Sequence, residues 1–367
     1  MIKSLQKKFI KENLDIREIF FVPIFATILA LLIGCLFLLA TGETFNNIFV
    51  AYSSLFIGSI GSFNALSETF TAATPLVLAA LGIALAFRAG LFNIGAEGQM
   101  IVGGMAAAIV GFSIDFLPIW IHLPLALSIG ALFGAMYAAI AGWLKASTGA
   151  HEVISTIMLN LIALRLLDYM LRSPLIQKAG RNDPISKSVL DTAELPQLLA
   201  FIDPQLRLHA GFFIMIGAVF FVYWLLFYTT IGFEFRSTGA NPDAAKYAGI
   251  KASLTIVLVM GIAGALAGLA GANQIMGVLG RASPGFSASI GFDAIAVALL
   301  GRSHPIGVFF AGLLFGALIA GGRLMQVKAG VSVDLITIIQ ALIIVFIAAP
   351  LLIKRIIPWV FRENEKS

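Results

Sequence analysis

The stretch FRAGLFNIGAEGQMIVGG, Phe87 to Gly104, sets an arginine, an asparagine, a glutamate, a glutamine and five glycines between two apolar runs that can each cross a bilayer. The chain around it has 367 residues, is 59% hydrophobic and 12% charged, and has a mean hydropathy of +0.98. A soluble globular core does not reach such values, so the class is an all-α polytopic membrane protein. A span needs roughly 20 apolar residues. About ten segments qualify by pattern: Phe20 to Ala40, Phe70 to Phe87, Gly95 to Phe112, Pro124 to Leu144, His151 to Leu171, Gly211 to Tyr228, Ser253 to Ala272, Gly291 to Gly301, Ile306 to Ala320 and Ser332 to Ile353. Those starting at Gly95 and Gly291 are weak or short.

Lys3, Lys7, Lys8, Lys11 and Arg17 precede the first span. The apolar run after them is too long for a signal peptide and no small-residue cleavage site follows, so a retained anchor is expected. Cys35 is a single cysteine, which leaves neither a disulfide framework nor a metal cluster. The net charge of +5 sits largely in loops and speaks to orientation in the membrane, not to nucleic acid. With ten crossings and both termini cytoplasmic, fifteen basic residues fall inside, eight fall outside and Arg165 lies within a span. Five of the outer eight belong to one long loop, which contributes little to the bias. The expected organisation is a segment 1–19 inside, a transmembrane domain 20–353 with an outer loop 172–210 and an inner loop 232–252, and a tail 354–367 inside.

The outer loop carries Pro174, Pro184, Pro196 and Pro204, and its LPQLLAFI segment has the pattern of a short interfacial helix. Unstructured loops of this length are usually functional or disordered, so a partner-docking surface is expected over a plain connector. Gly130/Gly134, Gly264/Gly268 and Gly312/Gly316 are small-xxx-small pairs that let helices approach closely.

The opening stretch has a counterpart. Under the topology above, GALAGLAGANQ runs outward and SIGFDAIAVALLGRSHP returns inward, opposite to the first pair. Both returning helices start from glycine-bracketed chain with an acid in the first turns, Glu97 and Asp293, where orphan amides and the helix dipole favour it. This is the pattern of an inverted repeat with broken helices near the bilayer midplane. Irregular backbone at that depth needs protein or a water-filled cavity around it, so Phe92, Asn93, Glu97, Gln99, Phe292 and Asp293, with mid-span Asn160, are candidates for a substrate path. The alternative is that the acids and amides only organise helix starts. A path of phenyl rings and sparse amides, without a run of cations, suits a neutral, partly aromatic solute. Gln340 is a further mid-span polar group, Arg165 and Asp168 read as an intrahelical pair, Glu152 as a helix-start acid, and His122, His209 and His304 as isolated.

No G-x-x-x-x-G-K-[ST] or G-x-S-x-G frame occurs, so an enzyme is not expected and any ATP-driven engine belongs to another subunit. The inner loop contains NPDAAKYAGI: an Asn241 cap, Pro242 at the first helical position, Asp243 in the first turn, then Ala244, Ala245, Lys246, Tyr247 and Ala248 up to Gly249. So short a helix is not stable alone and should lean on a partner.

FRAGLFNIGAEGQM, HEVISTIMLN, RSTGANPDAAKYAGI and GFDAIAVALLGRSHP together resemble the permease subunits of ABC importers in the branched-chain amino acid and ribose permease superfamily, within it the nucleoside-type branch that works with a basic-membrane-protein lipoprotein. The resemblance runs from about Phe70 to the last span. It implies a bacterial cytoplasmic-membrane importer for nucleosides with an ATPase subunit carrying two nucleotide-binding domains, a second and different permease, and an extracellular binding lipoprotein. Asn241 to Gly249 then correspond to the coupling helix; ATP and Mg are used by the ATPase, and no cofactor or metal is held by this chain. Rival readings are an ABC importer for a simple sugar or branched-chain amino acid, an ion- or proton-coupled secondary transporter, and a non-transporting anchor.

Overall fold

The computed structural model describes residues 16–332 and 334–348. Among them the chain forms α1 (Ile16–Ala40), α2 (Phe45–Ile60), α3 (Phe63–Arg88), α4 (Ala96–Ser113), α5 (Ile119–Thr148), α6 (Glu152–Leu171), α7 (Gly211–Tyr228), α8 (Thr230–Ala240), α9 (Pro242–Tyr247), α10 (Ala252–Gln274), α11 (Ile290–Leu300), α12 (Pro305–Ala329) and α13 (Asp334–Ala348). A π-helical turn, Ile275–Leu279, continues α10. No strand forms among the described residues; extended pairing is limited to two isolated bridges. Among the described residues, seven helices are long and apolar enough to cross a membrane: α3, α4, α5, α6, α7, α10 with its π turn, and α12. The N-terminal basics Lys3, Lys7, Lys8 and Lys11, the end of the last expected span and the tail 354–367 lie outside the described residues.

Two helices lie where the sequence pattern predicts none. In α2, FNNIFVAYSSLFIGSI, amides and hydroxyls interrupt the apolar run. Their polarity is absorbed by carbonyls: the Tyr52 hydroxyl donates to Leu31 O at 2.7 Å, Ser53 Oγ to Val50 O at 3.0 Å and Asn47 Nδ2 to Ala329 O at 3.0 Å. The other, α8, starts at a Thr229 cap whose hydroxyl accepts from Gly232 N at 3.0 Å, so part of the expected polar loop is helix.

Among the described residues, 16–58 with 321–348 form one compact unit and 59–320 another. In the first, α1 and α13 pack together, with Gly34 facing Ile339. In the second, α10 packs on α5, α4 and α3. The glycine pairs explain how closely: a Cβ on Gly134 would stand 2.7 Å from Gly268 Cα, and one on Gly103 2.6 Å from Gly130 O. Backbones therefore touch where these helices cross, as small-xxx-small pairs allow. α3 lies at the centre of this unit, buried on nearly every side from Ala73 to Ala86.

The segment between α6 and α7 is stitched onto the helices. Ser186 N donates to Ala282 O and receives Ala282 N on its hydroxyl, both at 2.9 Å; Val189 N reaches Gly280 O at 2.8 Å, Leu195 N reaches Met276 O at 3.0 Å and Leu190 N reaches Gly111 O at 2.9 Å. Ile176, Val189, Ala193 and Leu195 share one apolar cluster with Met105, Leu171, Met276 and Phe286. LPQLLAFI is not a helix. Its amides and carbonyls pair instead with the returning chain, Leu198 N to Leu208 O at 2.8 Å and Ala210 N to Pro196 O at 2.9 Å, which closes a small loop.

The histidines are not idle. His122 lies fully buried on α5, with Nδ1 2.8 Å from Thr192 Oγ1 and Nε2 3.0 Å from Val110 O, so it fastens the outer segment to two helices. His209 is buried, and its Nδ1 accepts from Gly211 N at 3.2 Å, which leaves the proton on Nε2.

Candidate functional site

After α3 the chain turns at Gly90, whose φ of 73° is a left-handed conformation and whose Cβ position lies 3.1 Å from Gly239 Cα. Only glycine suits both demands. The following residues run irregularly to Gly95, and α4 begins without a side-chain cap of its own. Its orphan amides are met from elsewhere. Asn160, on α6, accepts from Gly98 N at 2.8 Å and donates to Ile94 O at 2.9 Å, clamping the helix start from both sides. Asn93 and Gln99 exchange two side-chain hydrogen bonds, Asn93 Nδ2 to Gln99 Oε1 at 3.1 Å and Gln99 Nε2 to Asn93 Oδ1 at 2.9 Å, and Asn93 Oδ1 also accepts from Gly95 N at 3.0 Å. Buried amides cost little when paired in this way.

Glu97 stands in the first turn of α4 but serves a different helix. Its Oε1 accepts the Ser287 hydroxyl and its Oε2 accepts Gly291 N at 2.8 Å, at the start of α11. That helix start has no side-chain cap because Ser289 is left-handed, φ 62°, and Ala288 before it has φ 46°. The two returning helices therefore begin at one buried junction, with Glu97 4% exposed. Asp293 is its counterpart in sequence and not in environment. It is half-buried, and its carboxyl makes no hydrogen bond or ion pair among the described residues.

The aromatic candidates behave differently from the amides. Phe92 and Phe292 are 55% and 44% exposed, and the Phe92 ring packs 4.9 Å from that of Phe87, centroid to centroid. Asn93, Glu97, Gln99 and Asn160 are all buried. The seven candidates thus divide into a buried framework of four and an accessible group of Phe92, Phe292 and Asp293. Glu152 also joins the neighbourhood: its carboxylate holds Lys145 Nζ at 2.5 Å and accepts Phe92 N at 3.4 Å. Its place at the start of a span was the only signal in the sequence. Arg165 and Asp168 pair at 3.6 Å.

At the other feature, Asn241 Oδ1 accepts from Asp243 N and Ala244 N, both at 3.0 Å, Pro242 takes the first helical position, and Gly249 follows with φ 85°. Asp243, Ala244, Lys246, Tyr247 and Ala248 are exposed, Tyr247 at 94%. Ala245 points the other way and is buried, and its carbonyl accepts Ile250 N at 3.1 Å. A bulky charge at Ala245 would therefore disturb the chain's own packing before it could test a partner.

Residues 65–348 match the family described as branched-chain amino acid transport system / permease component. Over 334 residues, 91% of this chain and 94% of the relative, it is 39% identical to the guanosine ABC transporter permease protein NupP of Bacillus subtilis (strain 168). It is 37% identical to the nucleoside ABC transporter permease protein NupB of Lactococcus lactis subsp. cremoris (strain MG1363), over 92% of this chain and 93% of the relative. Identity is also 37% to the glucose ABC transporter permease protein TsgB13 of Haloferax volcanii, over 83% and 81%. No solved structure matches.

Proposed function

The chain belongs to the branched-chain amino acid transport system permease family, and on that premise we propose that it is the membrane-spanning subunit of an ATP-driven importer through which nucleosides pass. The observation that carries the substrate class is the 39% and 37% identity to a guanosine and a nucleoside permease along more than nine-tenths of the chain. The accessible Phe92 and Phe292 fit it, since phenyl faces suit a flat base. In this reading Phe92, Phe292 and Asp293 meet the solute, while Asn93, Glu97, Gln99 and Asn160 hold the backbone that presents them.

Ten crossings with cytoplasmic termini, and an inverted relation between α3–α4 and α10–α11, belong to the same proposal; the junction at Glu97, where α4 and α11 start together, supports it. The exposed face of α9 docks an ATPase subunit, which supplies ATP and Mg chemistry. A second, different permease completes the path, and a substrate-binding lipoprotein delivers solute to the outer segment, where Phe201 and Ile202 stand exposed on its closed loop. The glucose permease relative favours a sugar as the second reading.

Uptake of labelled adenosine, guanosine, uridine, ribose, glucose and leucine, in cells lacking this permease and after its restoration, decides between them. Restored nucleoside accumulation is expected. Restoration of glucose, ribose or leucine uptake alone overturns the substrate, and nucleoside accumulation without any ATPase subunit overturns the ATP-driven architecture.

A further inference from the structure

Three arginines from distant parts of the chain, Arg88 closing α3, Arg236 on α8 and Arg302 in the turn between α11 and α12, lie close enough in the unit 59–320 that the charges of Arg236 and Arg302 both act on Arg88. Arg88 Nε donates to Ser303 O at 2.9 Å, beside Arg302. The Arg236 guanidinium lies 5.5 Å over the Phe227 ring, which packs 5.5 Å from the ring of His304, the residue after Ser303. Tyr223 joins them, 5.9 Å from both His304 and Tyr228. Arg302 and Ser303 each have φ 52°, two successive non-glycine residues in left-handed conformation, so the turn is held under strain.

No carboxylate among the described residues lies within ion-pair distance of the three guanidiniums, although Glu234 is only two residues from Arg236. Elsewhere Lys145, Arg165, Arg181 and Arg207 all have acidic partners. Like charges converging without a counter-charge repel, and Arg88 and Arg236 are half-buried, where screening is weaker. Burial and the charge of Arg88 push the His304 pKa down, so the imidazole stays neutral and the positive charge belongs to the arginines.

We infer that Arg88, Arg236 and Arg302 form a binding site for the phosphate of an anionic phospholipid headgroup. Planar guanidinium forks match phosphate oxygens. The surroundings identify lipid as the source. The cluster sits where the apolar α7 ends, beside Phe227 and the tyrosines Tyr223 and Tyr228, whose amphipathic rings favour membrane interfaces. On α8, Phe233 is 57% exposed one turn from Arg236, so an apolar surface for acyl chains adjoins the cations. The site is independent of the transported solute.

The full chain is reconstituted in nanodiscs of phosphatidylcholine with a minority of phosphatidylglycerol, and the lipids it retains on extraction are counted by native mass spectrometry. Wild type should be enriched in phosphatidylglycerol. Arg236→Gln and Arg302→Asn should each lower the enrichment about fivefold, as expected for one basic group at an anionic surface; asparagine tolerates the left-handed turn. Arg302→Lys, retaining the charge, should keep most of it and so separates charge from folding. Arg181→Gln, whose arginine is paired to Asp183, should change nothing. Undiminished enrichment in the Arg236→Gln/Arg302→Asn double variant overturns the site. So does displacement of the lipid by inorganic phosphate, which would make it a free-phosphate site, or loss of a co-purifying ATPase subunit with lipid retention intact, which would make it a protein contact.

Discussion

Glu97 accepts hydrogen bonds for a helix that starts 193 positions after it, and its substitutions should separate geometry from charge. Glu97→Gln keeps an amide oxygen for Gly291 N and should retain part of the uptake activity. Glu97→Ala leaves buried donors without a partner and should cost about 1–3 kcal/mol of stability. Thermal melting and nucleoside uptake of both variants check this; a glutamine variant as damaged as alanine, with uptake abolished by an uncoupler at constant ATP, would point to proton coupling instead. His209 makes a second prediction. Burial, then the charge of Arg207, lowers its pKa from an ordinary 6.5 to about 4. A histidine depressed in the folded state contributes its stability above the unfolded pKa and loses it as pH falls from 6.5 toward 4, on the order of 3 kcal/mol in all. Melting of wild type should therefore fall more steeply over that range than melting of His209→Gln; equal slopes would show that His209 does not titrate in the fold. The sequence marked Asn93, Gln99 and Asn160 as polar groups in an apolar chain. It did not reveal their partners, because Asn160 meets residues 62 and 66 positions away, and His209 reads as isolated in the sequence because nothing adjacent shows that it would be buried.

Hydropathy located most helices well: Gly211–Tyr228 has the expected bounds, and Ala96–Ser113 and Glu152–Leu171 shift by a residue. It failed where polar side chains bond to carbonyls within the bundle, as in α2, and where a surface pattern was satisfied by backbone pairing, as in LPQLLAFI. The start of the short α9 was legible to the residue, since its cap chemistry is local, and its end falls one residue before the expected Ala248. Which of its faces is free was not, and this changes the experiment that tests docking. Tyr247→Ala, or Tyr247→Glu, should weaken co-purification of the ATPase subunit and transport-coupled ATP hydrolysis while leaving melting of the permease unchanged. Ala245→Glu should lower melting itself, because that side chain has no room. Normal coupling in both Tyr247 variants would remove α9 from the docking surface.

At the level of the whole chain, glycine spacing announced close helix contacts in advance, and the crossing of α5 with α10 at Gly134 and Gly268 has that character. The division of the described residues into 16–58 with 321–348 and 59–320 was not legible, because it joins α1 to α13 through packing that no local pattern encodes. The Glu97 junction also has a consequence in time. Its two donors are made 190 and 194 residues after it. A ribosome adding about 5–20 residues per second needs roughly 10–40 s for that length. Throughout this interval α4 waits in the bilayer with a carboxylate whose permanent donors do not yet exist, held only by water or by insertion machinery. Nascent chains stalled before residue 287 never receive those donors, so a chain ending there is expected to be an unfinished fold rather than a smaller stable domain.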